Sequence, residues 1–99
     1  MRAFDIDKID DIIHGRMRLG IMAYLAHAGV AEFTELRDAL KTTQGNLSVH
    51  LRKLEEAGFI EIDKSFLGRR PLTRARVSRA GRKAFADYLD AIAKLLPGE

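Results

Sequence analysis

Cysteine is absent from this chain of 99 residues, proline occurs twice and histidine three times. Without thiols there is neither a disulfide framework nor a thiolate metal site, so a zinc ribbon is excluded and stability must come from a buried core. Long apolar runs are also missing. The longest stretch free of formal charge, residues 19–31, has 13 residues and contains His27, short of the ~18 apolar residues that a bilayer crossing requires. Asp5, Asp7, Asp10 and Asp11 crowd the start of the chain, where a secretory signal would be basic and then apolar. The 8 glycines are scattered and no repeat or linker is visible. These absences leave one domain, residues 1–99, expected in the cytoplasm and away from membranes, with 46% hydrophobic residues to form its core.

Acidic and basic residues nearly balance, 14 against 17, but they are unevenly spread. Residues 64–83 hold Lys64, Arg69, Arg70, Arg74, Arg76, Arg79, Arg82 and Lys83 with no acid, so that window carries +8 and the remainder −5. A cationic segment on an otherwise acidic domain is the footprint of phosphate-backbone contact, although a solvated face that keeps the protein soluble has the same composition.

Periodicity supplies the elements. Phe4, Ile9, Ile12 and Ile13 suit an amphipathic helix starting near Asp5 or Asp7 and broken at His14-Gly15. From Arg16 a central helix carries Leu19, Met22, Ala23 and Ala26 on one stripe and Ile21, Leu25 and Ala28 on another, and Gly29 closes it. A short extended segment, 30–33, precedes a helix over 35–40 with Thr34 as its expected N-cap and Leu36, Ala39 and Leu40 inward. Lys41-Thr42-Thr43 makes a turn. A helix over about 44–57 follows, capped by Thr42 or Thr43, with Leu47, Leu51 and Leu54 on one face and Gly58 past its end. Alternation over 59–63 and 73–77 predicts a hairpin within about 59–77, joined by a projecting loop, 64–72, with Arg69 and Arg70 at its tip. Ser78 caps a last helix, about 79–96, in which Phe85, Leu89, Ile92 and Leu96 form an apolar stripe.

That order is the order of a winged helix-turn-helix: an α+β, mostly helical fold with a two- or three-stranded antiparallel wing sheet and terminal dimerisation helices. With Leu47, Leu51 and Leu54 inward, the side chains on the other side of the same helix suit base edges. Gln44 matches adenine, Arg52 matches guanine, Ser48 bonds either and Val49 meets a thymine methyl, while Gly45 admits close backbone approach. Thr43 and Lys53 flank them. Asn46 either reads a base or bonds back to the cap. Arg69 and Arg70 reach either phosphates or a narrow minor groove. Arg74 and Arg76 either line the DNA backbone or guard a strand edge. His50 leans toward the core side of the helix. Ile9 and Ile13, with Phe85, Leu89, Ile92 and Leu96, are the expected contacts to a twofold mate.

The run Thr42-Thr43-Gln44-Gly45-Asn46 with LSVHLRKLEEAGFI over 47–60 resembles the recognition-helix signature of MarR- and ArsR-like winged-helix regulators. Gly68-Arg69-Arg70-Pro71 and VSRAGRKAF over 77–85 resemble the wing and the start of the dimer helix in the same superfamily. The resemblance runs from Ile13 to about Leu96 and implies a homodimer on an inverted-repeat operator, each recognition helix in one of two successive major grooves. It implies a transcriptional regulator, with repression the expected sign. Metal sensing is not expected, since the Cys pairs and last-helix His of ArsR-type sensors are missing. Little chain remains for the effector pocket of MarR-type sensors, so no required cofactor is expected. A winged helix also serves as a protein-interaction module or a sequence-tolerant nucleoid binder, and these are the alternatives. No nucleophile with its base, acid pair or phosphate loop can be assembled, so an enzyme is not expected.

Overall fold

Ile21, Met22 and Leu25 of the helix Arg16–Ala28 (α1) are fully buried, and the other elements are laid around them. The computed structural model describes residues 5–97. After α1 come β1 (Val30–Glu32), α2 (Phe33–Ala39), α3 (Gln44–Glu56), β2 (Ile60–Leu67), β3 (Arg70–Val77) and α4 (Arg79–Leu95). Leu36 from α2, Leu47, Leu51 and Leu54 from α3, Ile60 from β2, and Ala75 and Val77 from β3 complete one continuous apolar cluster with α1. Burying each of the larger side chains contributes ~1.5–3 kcal/mol, which is why the i, i+4, i+7 leucines of α3 fix which of its faces is left outside. The three strands form an antiparallel sheet in the order β1-β3-β2.

The hairpin is longer and tighter than its sequence suggests. Instead of a loop over 64–72, the ladder continues through Lys64↔Thr73, Ser65↔Leu72, Phe66↔Pro71 and Leu67↔Arg70, leaving Gly68-Arg69 as a two-residue turn. Gly68 has φ 66, and a positive φ at the first central position is what a type II′ hairpin turn requires. Pro71 is tolerated because Leu67↔Arg70 closes the turn. The next pair, Phe66↔Pro71, then falls in the non-hydrogen-bonded phase, and the missing N–H faces the edge that β1 does not reach.

Two helix starts also differ from expectation. Only a single 3-10 turn, Ile6–Lys8, forms where an amphipathic helix is predicted. Asp5 Oδ1 accepts from the Asp7 N–H at 3.0 Å, and Asp10 Oδ1 accepts from the Ile12 and Ile13 N–H groups at 2.8 and 3.0 Å. Carboxylates that bond their own neighbouring backbone compete with helical hydrogen bonding, so the segment turns rather than winds. Phe4, assigned to that helix, lies outside the described residues. In α2 the N-cap is Glu32 and not Thr34: Glu32 and Glu35 exchange side-chain and backbone bonds in a capping box.

At the other end of the sheet, α4 is seated by a close approach. Ser78 N–H donates to Phe59 O at 3.0 Å, while Ser78 Oγ donates to Gly58 O at 2.6 Å and accepts from Gly81 N–H at 2.9 Å. A Cβ on Gly81 would stand 1.9 Å from Phe59 O, so only glycine fits. Further along α4, buried Tyr88 lies with its hydroxyl 2.9 Å from His14 Nδ1, tying the N-terminal segment to this helix.

Candidate nucleic-acid interface

The turn between α2 and α3 is built from backbone bonds. Thr42 N–H reaches back to Arg37 O at 3.1 Å and Lys41 N–H to Asp38 O at 3.2 Å, a Schellman closure that holds Lys41 at φ 53. Thr43 then caps α3, its Oγ1 accepting from Asn46 N–H at 3.2 Å. With the three leucines inward, Thr43, Gln44, Gly45, Asn46, Val49, Arg52 and Lys53 are exposed and Ser48 is half-buried. The exposed N-terminal end of α3 therefore presents polar and small residues, the surface that a major groove admits.

Between α3 and the wing runs a trough of two adjoining grooves. One, about 350 Å³, has Gln44, Ser48, Lys64, Arg70 and Pro71 in its walls. The other, about 410 Å³, shares Ser48 and Lys64 and ends at Arg52 and Glu55. Gln44, Ser48, Arg52 and Arg70 are thus brought onto one channel. Arg69 stands at the hairpin turn, away from these walls. Lys64 is the residue that sequence reasoning counted only as charge. Its signal was the alternation Ile60, Ile62, Lys64, which puts it on the ribbon face that turns toward α3.

On the opposite flank of α3, Arg18 bridges α1 and α3. Its Nη1 donates to His50 Nδ1 at 3.0 Å and its Nε donates to Ile12 O. Partial burial, with the Arg18 and Lys53 charges nearby, pushes the His50 imidazole below its usual pKa. An imidazole that accepts from a guanidinium is neutral, in keeping with the expected core-side role. Asn46 Nδ2 donates to Thr42 Oγ1 at 2.9 Å, so its amide is engaged with the turn in the free protein.

The cationic segment, continuous in sequence, is divided in space. Lys64 and Arg70 border the trough, whereas Arg74 and Arg76 line neither groove, and the register sets Asp63 opposite Arg74 and Glu61 opposite Arg76. Glu32 of β1 flanks Arg74 on its second side. Acidic residues thus stand directly across the ladder from both arginines. Arg79, Arg82 and Lys83 belong to α4, and Lys83 pairs with Asp87 at 2.7 Å.

The six residues expected at a twofold contact divide as well. Ile9 and Ile13 are buried in the chain's own core, Ile13 with no exposed surface. Phe85 and Ile92 pack partly on the chain's own core, while Leu89 and Leu96 stay 48% and 59% exposed. Among the described residues there is no group of three or more His, Asp or Glu able to hold a metal ion, and no helix long and apolar enough to cross a membrane.

A family profile for the winged helix DNA-binding domain matches residues 17–96, and the chain belongs to that family. It is 39% identical over 84 residues to the uncharacterized protein MJ0432 of Methanocaldococcus jannaschii, covering 85% of this chain and 91% of that one. The structure of a transcriptional regulator homologue from Pyrococcus horikoshii superposes with a TM-score of 0.75 at 27% identity, over 89% of this chain and 92% of that one. The Bacillus subtilis PadR structure, in complex with operator DNA, shares the fold at TM-score 0.62 and 17% identity, over 75% of this chain and 46% of that one. Its neighbours in fold also include MarR-family regulators. This is a winged-helix DNA-binding domain of the kind carried by transcription regulators.

Proposed function

We propose that the chain is a homodimeric transcriptional regulator of the cytoplasm that reads an inverted-repeat operator in duplex DNA and represses from it. The observation that carries this reading is the trough between α3 and the wing, where Gln44, Ser48 and Arg52 lie beside Lys64 and Arg70. Gln44 and Arg52 offer paired contacts to adenine and guanine edges, each worth ~1–3 kcal/mol of discrimination. Lys64, Arg69 and Arg70 supply the phosphate charge. Thr43, Gly45, Asn46, Val49 and Lys53 complete the reading surface, with Asn46 released from Thr42 when a base competes for its amide. The exposed Leu89 and Leu96 support a mate seated along α4.

The test is selection from random duplex DNA at about 150 mM salt, where non-specific electrostatic binding is weak. An enriched inverted repeat with half-sites ~10 bp apart is expected. Binding at low salt without enrichment would make the protein an architectural binder, and no binding at either salt would make it a protein-interaction module.

A further inference from the structure

The outer end of the wing carries two apolar side chains with little of this subunit against them. Phe66 is 72% exposed and Leu67 62%. Alternation along β2 buries Ile60 and half-buries Ile62, but past Lys64 the ribbon outruns the body and Phe66 is left uncovered. Leu67 points to the opposite face. Phe66 pairs in register with Pro71, and Leu67 with Arg70. The apex between them is Gly68-Arg69. Apolar groups thus project from both faces of a thin hairpin whose end also holds two guanidinium groups.

Exposed strand ends of this kind are usually blunted with charged or polar side chains, because bare apolar ones invite aggregation. Here charge and apolar surface are combined, and the combination suits a polyanion with apolar layers between its charges. Duplex DNA has that structure, with stacked bases behind phosphates. The tip is also continuous with the trough, since Arg70 and Pro71 belong to both.

We propose that Phe66 forms a wedge that enters a base step in the minor groove beside the α3 site, partly unstacks it and bends the duplex, with Leu67 covering the other face of the hairpin against the groove wall, while Arg69 and Arg70 hold the flanking phosphates. The proposal rests on the DNA-binding reading above and adds a deformation to it. Phe, Leu and Pro are the side chains that part base steps, with kinks of about 20–90°. Pyrimidine–purine steps unstack most easily, so the positions flanking each half-site acquire a preference for TA or CA/TG without a hydrogen bond to any base.

The experiment uses the full chain with the duplex recovered by selection, in two forms: permuted in position for electrophoretic bend measurement, and carrying 2-aminopurine at the flanking step. The intact protein is expected to bend the duplex by about 20° or more and to raise 2-aminopurine fluorescence. Phe66→Ser with Leu67→Ser is expected to retain half-site preference while losing both signals, and Phe66→Leu to keep them. Arg69→Ala with Arg70→Ala should instead lower affinity and flatten its salt dependence. An unchanged bend and fluorescence in the serine variant would overturn the wedge, as would a changed sedimentation coefficient with the bend intact, which would assign these residues to contact between copies. If the intact protein binds no duplex at all, the DNA-binding reading fails first and the wedge with it.

Discussion

Arg18 of α1 donates a hydrogen bond to His50 of α3 at 3.0 Å, so α3 is held to the central helix by a neutral imidazole. Partial burial and the Arg18 and Lys53 charges lower the His50 pKa below 6.5. At pH above 6.5 both folded and unfolded chains carry neutral His50, and the contribution is fully present. As pH falls below that value the unfolded chain takes up the proton first, and the contribution is lost as pH passes the lower folded-state pKa. Urea midpoints of the wild type and His50→Gln, compared from pH 8 to pH 5, should therefore converge with falling pH. A constant gap between the two would show that this imidazole does not titrate differently in the folded state.

Gly81 and Gly45 give opposite expectations for the same substitution. Gly81→Ala places a Cβ 1.9 Å from Phe59 O, against backbone that cannot yield without unseating α4. A loss of about 3 kcal/mol or more is expected in denaturant unfolding.

Gly45 has open space where its Cβ would be. Gly45→Ala should gain ~0.5–1 kcal/mol of stability from helix propensity alone. The same variant should bind selected DNA more weakly, because the added methyl keeps the backbone off the groove. Equal affinity in a fluorescence-anisotropy titration would remove Gly45 from the interface.

Arg52 and Arg70 should separate reading from holding. Arg52→Ala is expected to cost ~1–3 kcal/mol on the selected duplex and to relax preference at one position. Arg70→Ala should weaken all sequences alike and reduce the salt slope by about one. Equal losses on selected and scrambled DNA for Arg52→Ala would sink its role as a base reader.

Tyr88→Phe removes the hydroxyl that meets His14 Nδ1 at 2.9 Å and nothing else of the packing. A cost of ~0.5–1.5 kcal/mol is expected. Faster amide exchange confined to residues 9–14 would locate the loss in the N-terminal segment; uniform change across the chain would contradict the contact.

Much of this fold is legible from spacing. Leu47, Leu51 and Leu54 declare which side of α3 is buried, and the alternating segments around the wing declare a hairpin, because periods near 3.6 and 2 are direct images of helix and strand. What was illegible depended on partners or on phase. Tyr88 meets a residue 74 positions away, and the apolar stripe beside it drew attention instead. Pro71 read as part of a projecting loop because its consequence depends on which hydrogen-bonding phase it occupies, a matter settled by the turn. Asp5 read as a helix starter, yet its carboxylate, like that of Asp10, is satisfied by the backbone of a turn. Lys64 read as one charge among eight until the register placed it beside Ser48, and Arg74 as another until the register gave it Glu32 and Asp63 as neighbours.

The joint at Ser78 and Gly81 also sets a lever. The 17-residue helix α4 is roughly 25 Å long, starts from that joint and is held to the core further along by Phe85, Tyr88 and Ile92. A rotation of about 5° at the joint moves the far end by roughly 2 Å. In a dimer joined along α4, the spacing of the two α3 helices would then depend on the atoms around Phe59 O and on the Tyr88–His14 contact, both remote from every base. Half-site spacing becomes a property of the shoulder rather than of the hand, and small residues substituted near Phe59 would retune which operators a dimer can span while leaving the letters it reads unchanged.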